Sequence, residues 1–330
     1  MHIRLILPLL AACMLATSCE DPPRVPYIKP DLAAWPTPYV GTKGVAVHVF
    51  ETGKLRVPEP LLRRGGNPSR TRDVAVTSIV VQHPREGLIV INPGLTAESK
   101  TLSPSGTSLL QRMLASEALP GKTLAEQMRT AGLDADAVRW VLLSSLTPSH
   151  SASIADFPKA TVIVTRAAHV HARDAVPAVP IDRLDESERW RLLEFADTPR
   201  FATFPHHIDV FADGSVLAIE AAGALPGVAV FLLRLPQRPV LLAAGLAEFE
   251  DQVRFAAQPG TTHDFDQWWQ RIWELKRFRD LVPELLVVPG GDTSGLAALD
   301  AAGITIHPTP QIQLPTPKVT PEDPLRRMLR

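Results

Sequence analysis

The stretch Val141-Leu142-Leu143-Ser144-Ser145-Leu146-Thr147-Pro148-Ser149-His150-Ser151-Ala152-Ser153-Ile154-Ala155-Asp156-Phe157-Pro158 changes character after its third residue. The apolar run Trp140 to Leu143 gives way to a loop crowded with hydroxyls, and a second apolar run, Thr161 to Val164, follows. Short continuous apolar runs bounded by turn residues mark strands buried on both faces, so the polar loop is predicted to join two interior strands. Upstream, Val74 to Val81 and Leu88 to Ile91 flank the turn cluster His83-Pro84-Arg85-Glu86-Gly87 and read as a hairpin. Thr123 and Glu126 form a capping box for a helix over 123–130, with Gly132 where it should stop. Downstream, Ile208 to Phe211, Val216 to Ile219, Val228 to Leu235 and Val240 to Ala244 are strand-like, with turns at Ala212-Asp213-Gly214 and Pro236-Gln237-Arg238-Pro239. Asp264 can cap a helix whose Phe265, Trp268, Trp269, Ile272, Trp273 and Phe278 form a broad apolar face, read as core packing. Leu285 to Val288 is one more buried strand, before Pro289-Gly290-Gly291-Asp292. The elements predict a mixed α/β fold.

Composition agrees with a folded body. Of 330 residues, 45% are hydrophobic and 21% charged, which fits neither a disordered chain nor a multi-span membrane protein. Lys and Arg number 34 against 35 Asp and Glu, and no long basic run occurs, so no nucleic-acid partner is expected. Proline, at 32 residues, is about twice as frequent as usual and favours many loops.

The two cysteines, Cys13 and Cys19, both lie near the N-terminus, leaving the body without a thiol for a disulfide or a metal. Arg4 followed by the apolar run Leu5 to Ala16 reads as an export signal, too short to span a bilayer comfortably. Leu15-Ala16-Thr17-Ser18-Cys19 resembles the lipobox of bacterial lipoproteins, which implies a signal peptide over 1–18 and a lipid on Cys19. Glu20 after the cysteine is compatible with delivery to an outer membrane. Residues 19–44 are proline-rich and read as an extended tether, 45–306 as the folded domain, and 307–330 as a proline-rich tail, strapped to the body or disordered.

In their order and spacing, the segments from about Val45 to about Pro308 resemble the metallo-β-lactamase superfamily, and within it the acyl-homoserine lactone lactonase branch. Phe50-Glu51-Thr52-Gly53-Lys54-Leu55-Arg56-Val57-Pro58 is similar to that branch's opening. Ile89-Val90-Ile91-Asn92-Pro93-Gly94 resembles its early strand and Asp-Thr-Gly turn, with Asn92 and Pro93 substituted. Val141 to Pro158 resembles the strand and loop that carry His-x-His-x-Asp-His. The resemblance implies a four-layer αββα sandwich with the site at one edge of two sheets, and zinc-dependent hydrolysis in the family at large.

The metal ligands of the family are missing here. Ser145, Thr147 and Ser149 stand at three of the loop's ligand positions, and only His150 is a residue suited to ligate. Ala224 stands for the histidine of Gly-His-Thr-Pro-Gly, Leu246 for the aspartate of Gly-Asp, and Gly291 for the histidine of Pro-Gly-His-Asp, with Asp292 after it. A zinc site takes about three protein ligands from His, carboxylate or thiolate, so no cofactor is expected. Without the ion no water is activated and no carbonyl polarised. The expectation is therefore a non-catalytic lipoprotein that binds a small molecule or an envelope protein, touching the membrane through its N-terminal lipid alone. The alternative is a divergent hydrolase of lactones or esters. Its candidates are a Ser149–His150 or related hydroxyl–imidazole pair, or a displaced metal at His206-His207, at His263 with Asp264, Asp266 and Asp292, or at His169-x-His171.

Overall fold

The computed structural model describes residues 31–97, 99, 117–174, 189–292, 299–300 and 303–308. The signal peptide, Cys19, the first part of the tether and all but the start of the tail lie outside the described residues. The first sheet is eight-stranded and contains β1 (Ala46–Pro58), β2 (Thr71–His83), β3 (Gly87–Ile91), β4 (Glu117–Pro120), β5 (Val138–Leu142), β6 (Thr161–Thr165), β7 (Trp190–Leu193) and β13 (Thr305–Ile306). Its main path runs β13-β1-β2-β3-β5-β6-β7, and β4 pairs with the second half of β1. A five-stranded sheet has the order β12-β11-β10-β9-β8, from β8 (His207–Asp209), β9 (Val216–Glu220), β10 (Ala229–Arg234), β11 (Pro239–Leu242) and β12 (Leu286–Val288). The helices are α1 (Glu59–Leu62), α2 (Leu124–Thr130), α3 (Pro148–Ser151), α4 (Arg166–Asp174), α5 (Glu250–Phe255) and α6 (Phe265–Leu281). No helix among the described residues is long and apolar enough to cross a membrane.

The layering follows from the two-residue period of the strands. Ile79, Val81, Ile89, Ile91 and Leu142 face the second sheet, where Ala218, Phe231, Leu233 and Leu242 meet them. Their sequence neighbours Val80, Val90 and Val141 point the other way, onto Leu124 and Met128 of α2 and onto Phe157. In the second sheet, Leu217, Ile219, Val230, Leu232 and Leu241 turn outward onto Trp268, Ile272, Leu275 and Phe278 of α6. Both sheets are thus buried on both faces, which is why their strands read as unbroken apolar runs. Two sheets with helices outside each make the αββα sandwich.

The hairpin of β2 and β3 and the parallel β3-β5-β6-β7 set bring the ends of β3, β5 and β6 to one edge. The α2 capping box forms, with Thr123 N donating to Glu126 and Glu126 N to Thr123. Asp264 accepts from Gln267 N at the start of α6.

One segment differs from the sequence reading. Residues 31–44 are packed on the body: Trp35 stacks on Tyr39, meets Phe201 and Phe278 edge-on, and Tyr39 Oη donates to Leu235 O at 2.7 Å. Proline content pointed to extended chain, but two large aromatic rings within it supply enough apolar surface to hold it down. At the other end, His307 N donates to Val49 O and its ring stacks on Phe50 with centroids 4.2 Å apart, which straps the first residue of the tail to the body.

Candidate functional site

The edge where β3, β5 and β6 end is built from neutral hydrogen-bonding groups. After β3 the chain turns at Asn92, whose φ of 52° is a left-handed conformation that asparagine tolerates better than most residues. Asn92 N donates to Leu142 O, while its side chain accepts from Ser144 N at 2.8 Å and donates to Ser144 Oγ at 3.1 Å. One amide thereby ties the turn after β3 to the loop after β5. Ser153 closes the loop, donating through Oγ to Pro93 O at 2.7 Å and through N to Gly94 O.

Pro148 at the first helical position starts α3, a single turn whose carbonyl acceptor is Thr147 O, bonded by His150 N, Ser151 N and Ser151 Oγ. That turn lays the three hydroxyls and the imidazole side by side. Ser149 Oγ is 3.2 Å from Thr147 Oγ1, which is 3.1 Å from Ser145 Oγ, which is 2.8 Å from His150 Nδ1. Ser145 is only 2% exposed. His150 keeps some accessible surface, yet protein atoms crowd its ring, and this desolvation of the imidazolium pushes its pKa from 6.5 down to about 4. The histidine is neutral at physiological pH.

The remaining positions named from sequence do not all converge. Gly245 is the residue that faces His150, since a Cβ there would lie 3.9 Å from His150 Cε1. Leu246, expected at the site, is instead buried in the core beneath α6, and its carbonyl accepts from Trp268 Nε1 at 2.9 Å. The apolar layer under the helix claims Leu246, leaving Gly245 towards the imidazole. Ala224 likewise packs towards the core beneath α6, while Gly223 O and Ala224 O accept from Asp264 N and His263 N and hold the start of the helix. Gly291 has no room for a histidine, because a Cβ there would be 2.2 Å from Val74 Cγ1. Asp292 Oδ2 accepts from Glu250 N, the first residue of α5.

The sequence reading missed Glu248. Its Oε1 accepts from Gly245 N at 3.0 Å, and its Oε2 would lie 2.5 Å from a Cβ on Gly290 and 3.4 Å from one on Gly291. A carboxyl thus occupies the space beside the lost histidine position. Desolvation raises its pKa, with the Gly245 N–H opposing. In sequence it is one of three acids in Ala247-Glu248-Phe249-Glu250-Asp251, with no motif to mark it.

The alternative metal candidates do not gather three ligands at one place. His206 Nδ1 and His207 Nδ1 each pair with a backbone carbonyl, of Thr198 and Pro199. His169 packs on Trp190 and His171 on His263. Among the described residues no three His, Cys, Asp or Glu side chains are grouped so as to hold a metal ion. The zinc that the fold implies does not fit the donors present. Three hydroxyls bonded to one another, one imidazole engaged at Nδ1 and one carboxyl fall short of about three His, carboxylate or thiolate ligands. The arrangement offers a neutral imidazole and a carboxyl whose charged form is disfavoured, and so favours uncharged polar groups.

Comparison with known proteins bears on descent. No protein-family model matches the chain. It is 24% identical over 222 residues to the N-acyl homoserine lactonase AttM of Azorhizobium caulinodans, covering 66% of this chain and 81% of that one. It is 31% identical over 141 residues to the AttM of Agrobacterium fabrum, covering 41% and 51%. Among solved structures, an N-acyl homoserine lactone hydrolase with N-hexanoyl-L-homoserine at its catalytic metal center superposes with a TM-score of 0.61 at 16% identity, over 76% of this chain and 95% of that one. A probable metal-dependent hydrolase from Staphylococcus aureus gives 0.59 at 11% identity, over 75% and 89%. The sandwich and these similarities show that the chain has the metallo-β-lactamase fold and is similar in sequence to N-acyl homoserine lactonases.

Proposed function

We propose that the protein is a metal-free, non-catalytic member of its superfamily that uses the old site to bind a ligand in the bacterial cell envelope, where a lipid on Cys19 holds it at a membrane, the outer one where there are two. The observation that carries this reading is the hydroxyl chain Ser149–Thr147–Ser145 ending on His150 Nδ1, at the positions where relatives by resemblance keep ligands. Each hydroxyl finds a partner in its neighbour, so the site is stable without an ion to neutralise it. Gly291, closed by Val74, and Glu248, beside it, support the same reading. The ligand is expected to be a small molecule carrying uncharged polar groups, or a segment of an envelope protein presenting them.

The 2.8 Å bond between Ser145 Oγ and His150 Nδ1 favours a second reading, a serine hydrolase with His150 as base. Against it, Ser145 is almost wholly buried and shares its hydroxyl with Thr147, which leaves little room for a carbonyl to approach. A panel of lactones and esters, assayed with and without chelator and with a fluorophosphonate probe, separates the readings. Metal-free binding predicts no turnover and no label. Chelator-resistant turnover lost in Ser145→Ala would establish the serine hydrolase, and chelator-sensitive turnover would defeat both.

A further inference from the structure

Phe265 and Trp273, read from sequence as part of the core face of α6, are instead exposed, and Trp269 between them at four-residue intervals is half-buried against the core under the helix. Phe265 and Trp269 stack with centroids 5.9 Å apart, and Trp269 meets Trp273 edge-on at 5.7 Å. The row continues through cations. Lys276 Nζ lies 5.4 Å from the Trp273 ring and donates to Arg254 O at the end of α5, and the Arg254 guanidinium lies 5.7 Å from the Phe255 ring. Phe255 is 74% exposed, Phe265 40% and Trp273 38%. A row of rings followed by Lys276 and Arg254 and ending on Phe255 matches the composition that settles at a bilayer interface, rings at the headgroup boundary and cations on phosphates. Glu250 lies near both Arg254 and Arg279, so the rings, more than net charge, supply the attraction.

Trp35 packs edge-on against Phe278 of α6 at 5.0 Å, and Asp31 pairs with Arg200 at 2.9 Å, so the polypeptide joins the body alongside the same helix. Twelve residue steps separate Cys19 from Asp31, a reach of about 40 Å at full extension. We propose that the strip formed by Phe255, Trp273, Trp269 and Phe265 with Arg254 and Lys276 docks on the phospholipid surface in which the Cys19 lipid is seated. It is a second membrane contact beyond the lipid, and it rests on the lipid-anchor reading above. The start of α6 is tied to the Gly223-Ala224 turn, so docking brings that side of the old site towards the bilayer.

The test uses residues 19–330 with Cys19→Ser, which carries no acyl chain and retains every core residue. Sedimentation with vesicles of phosphatidylethanolamine and phosphatidylglycerol should show partitioning. Phe255→Ser with Trp273→Ser should weaken it about tenfold or more, with an unchanged thermal midpoint, while Phe255→Tyr retains it. No partitioning of the unacylated chain, or equal partitioning by the double variant, overturns the proposal. So does a strip variant that loses a purified protein partner while binding vesicles normally. The mass of the N-terminal peptide from cells tests the anchor separately: an unmodified Cys19 with vesicle binding intact removes the anchor and leaves the strip standing.

Discussion

At the scale of single residues, His150 and Glu248 titrate in opposite senses, and their effects on stability can be separated. The native His150 has a pKa of about 4 against 6.5 when free, so between those values the unfolded chain takes up a proton that the native state refuses. Stability from this group therefore falls as pH drops from 6.5 to 4, by up to about 3 kcal/mol. Glu248 is raised, so its contribution is complete below the ordinary carboxylate range and is lost as pH rises through its native pKa. Glu248→Gln keeps an acceptor for Gly245 N and has no charge to bury. It should match the parent near pH 4 and be the more stable at pH 8, as urea unfolding at the two pH values would show. Neither effect was legible in the ligand pattern. His150 was found because the motif pointed to it, but Glu248 lies outside every motif and acquires its place only when the Pro289–Gly291 segment folds against it.

At the scale of elements, local chemistry predicted more than ligand bookkeeping did. The α2 capping box and the Asp264 cap were visible because each needs only neighbours in sequence. Thr123→Ala should cost about 1 kcal/mol, read from the denaturant midpoint. The turn Gly223 to Gly227 was legible as a motif, but its task in this chain was not. Gly223 has φ 142° and no room for a side chain, since a Cβ would sit 2.3 Å from Trp268 N. Gly223→Ala should push α6 off the second sheet, with a loss of about 2 kcal/mol or more. Trp35 shows the opposite failure: composition assigned its segment to a tether, although an edge-on contact with Phe278 depends on chain 243 residues away, which no local pattern encodes. Trp35→Ala should lower stability by about 2 kcal/mol and leave the far-ultraviolet circular dichroism unchanged.

At the scale of the whole molecule, the packing that forms the sandwich lies away from the site edge. Its strands are held by the inter-sheet core and by two helical covers, none of which depends on the site edge. Continuous apolar runs declared strands buried on both faces, while the sandwich itself was implied by the resemblance in the order and spacing of the segments. Which way Leu246 points was not legible, because one residue of register decides between the helix side and the imidazole. The most direct measurement is zinc content per chain by plasma mass spectrometry, after growth in zinc-supplemented medium and gel filtration. A hydroxyl-lined site with a single imidazole predicts zinc far below stoichiometric and no change in His150→Ala. One or two zinc ions per chain, lost in His150→Ala, would contradict it.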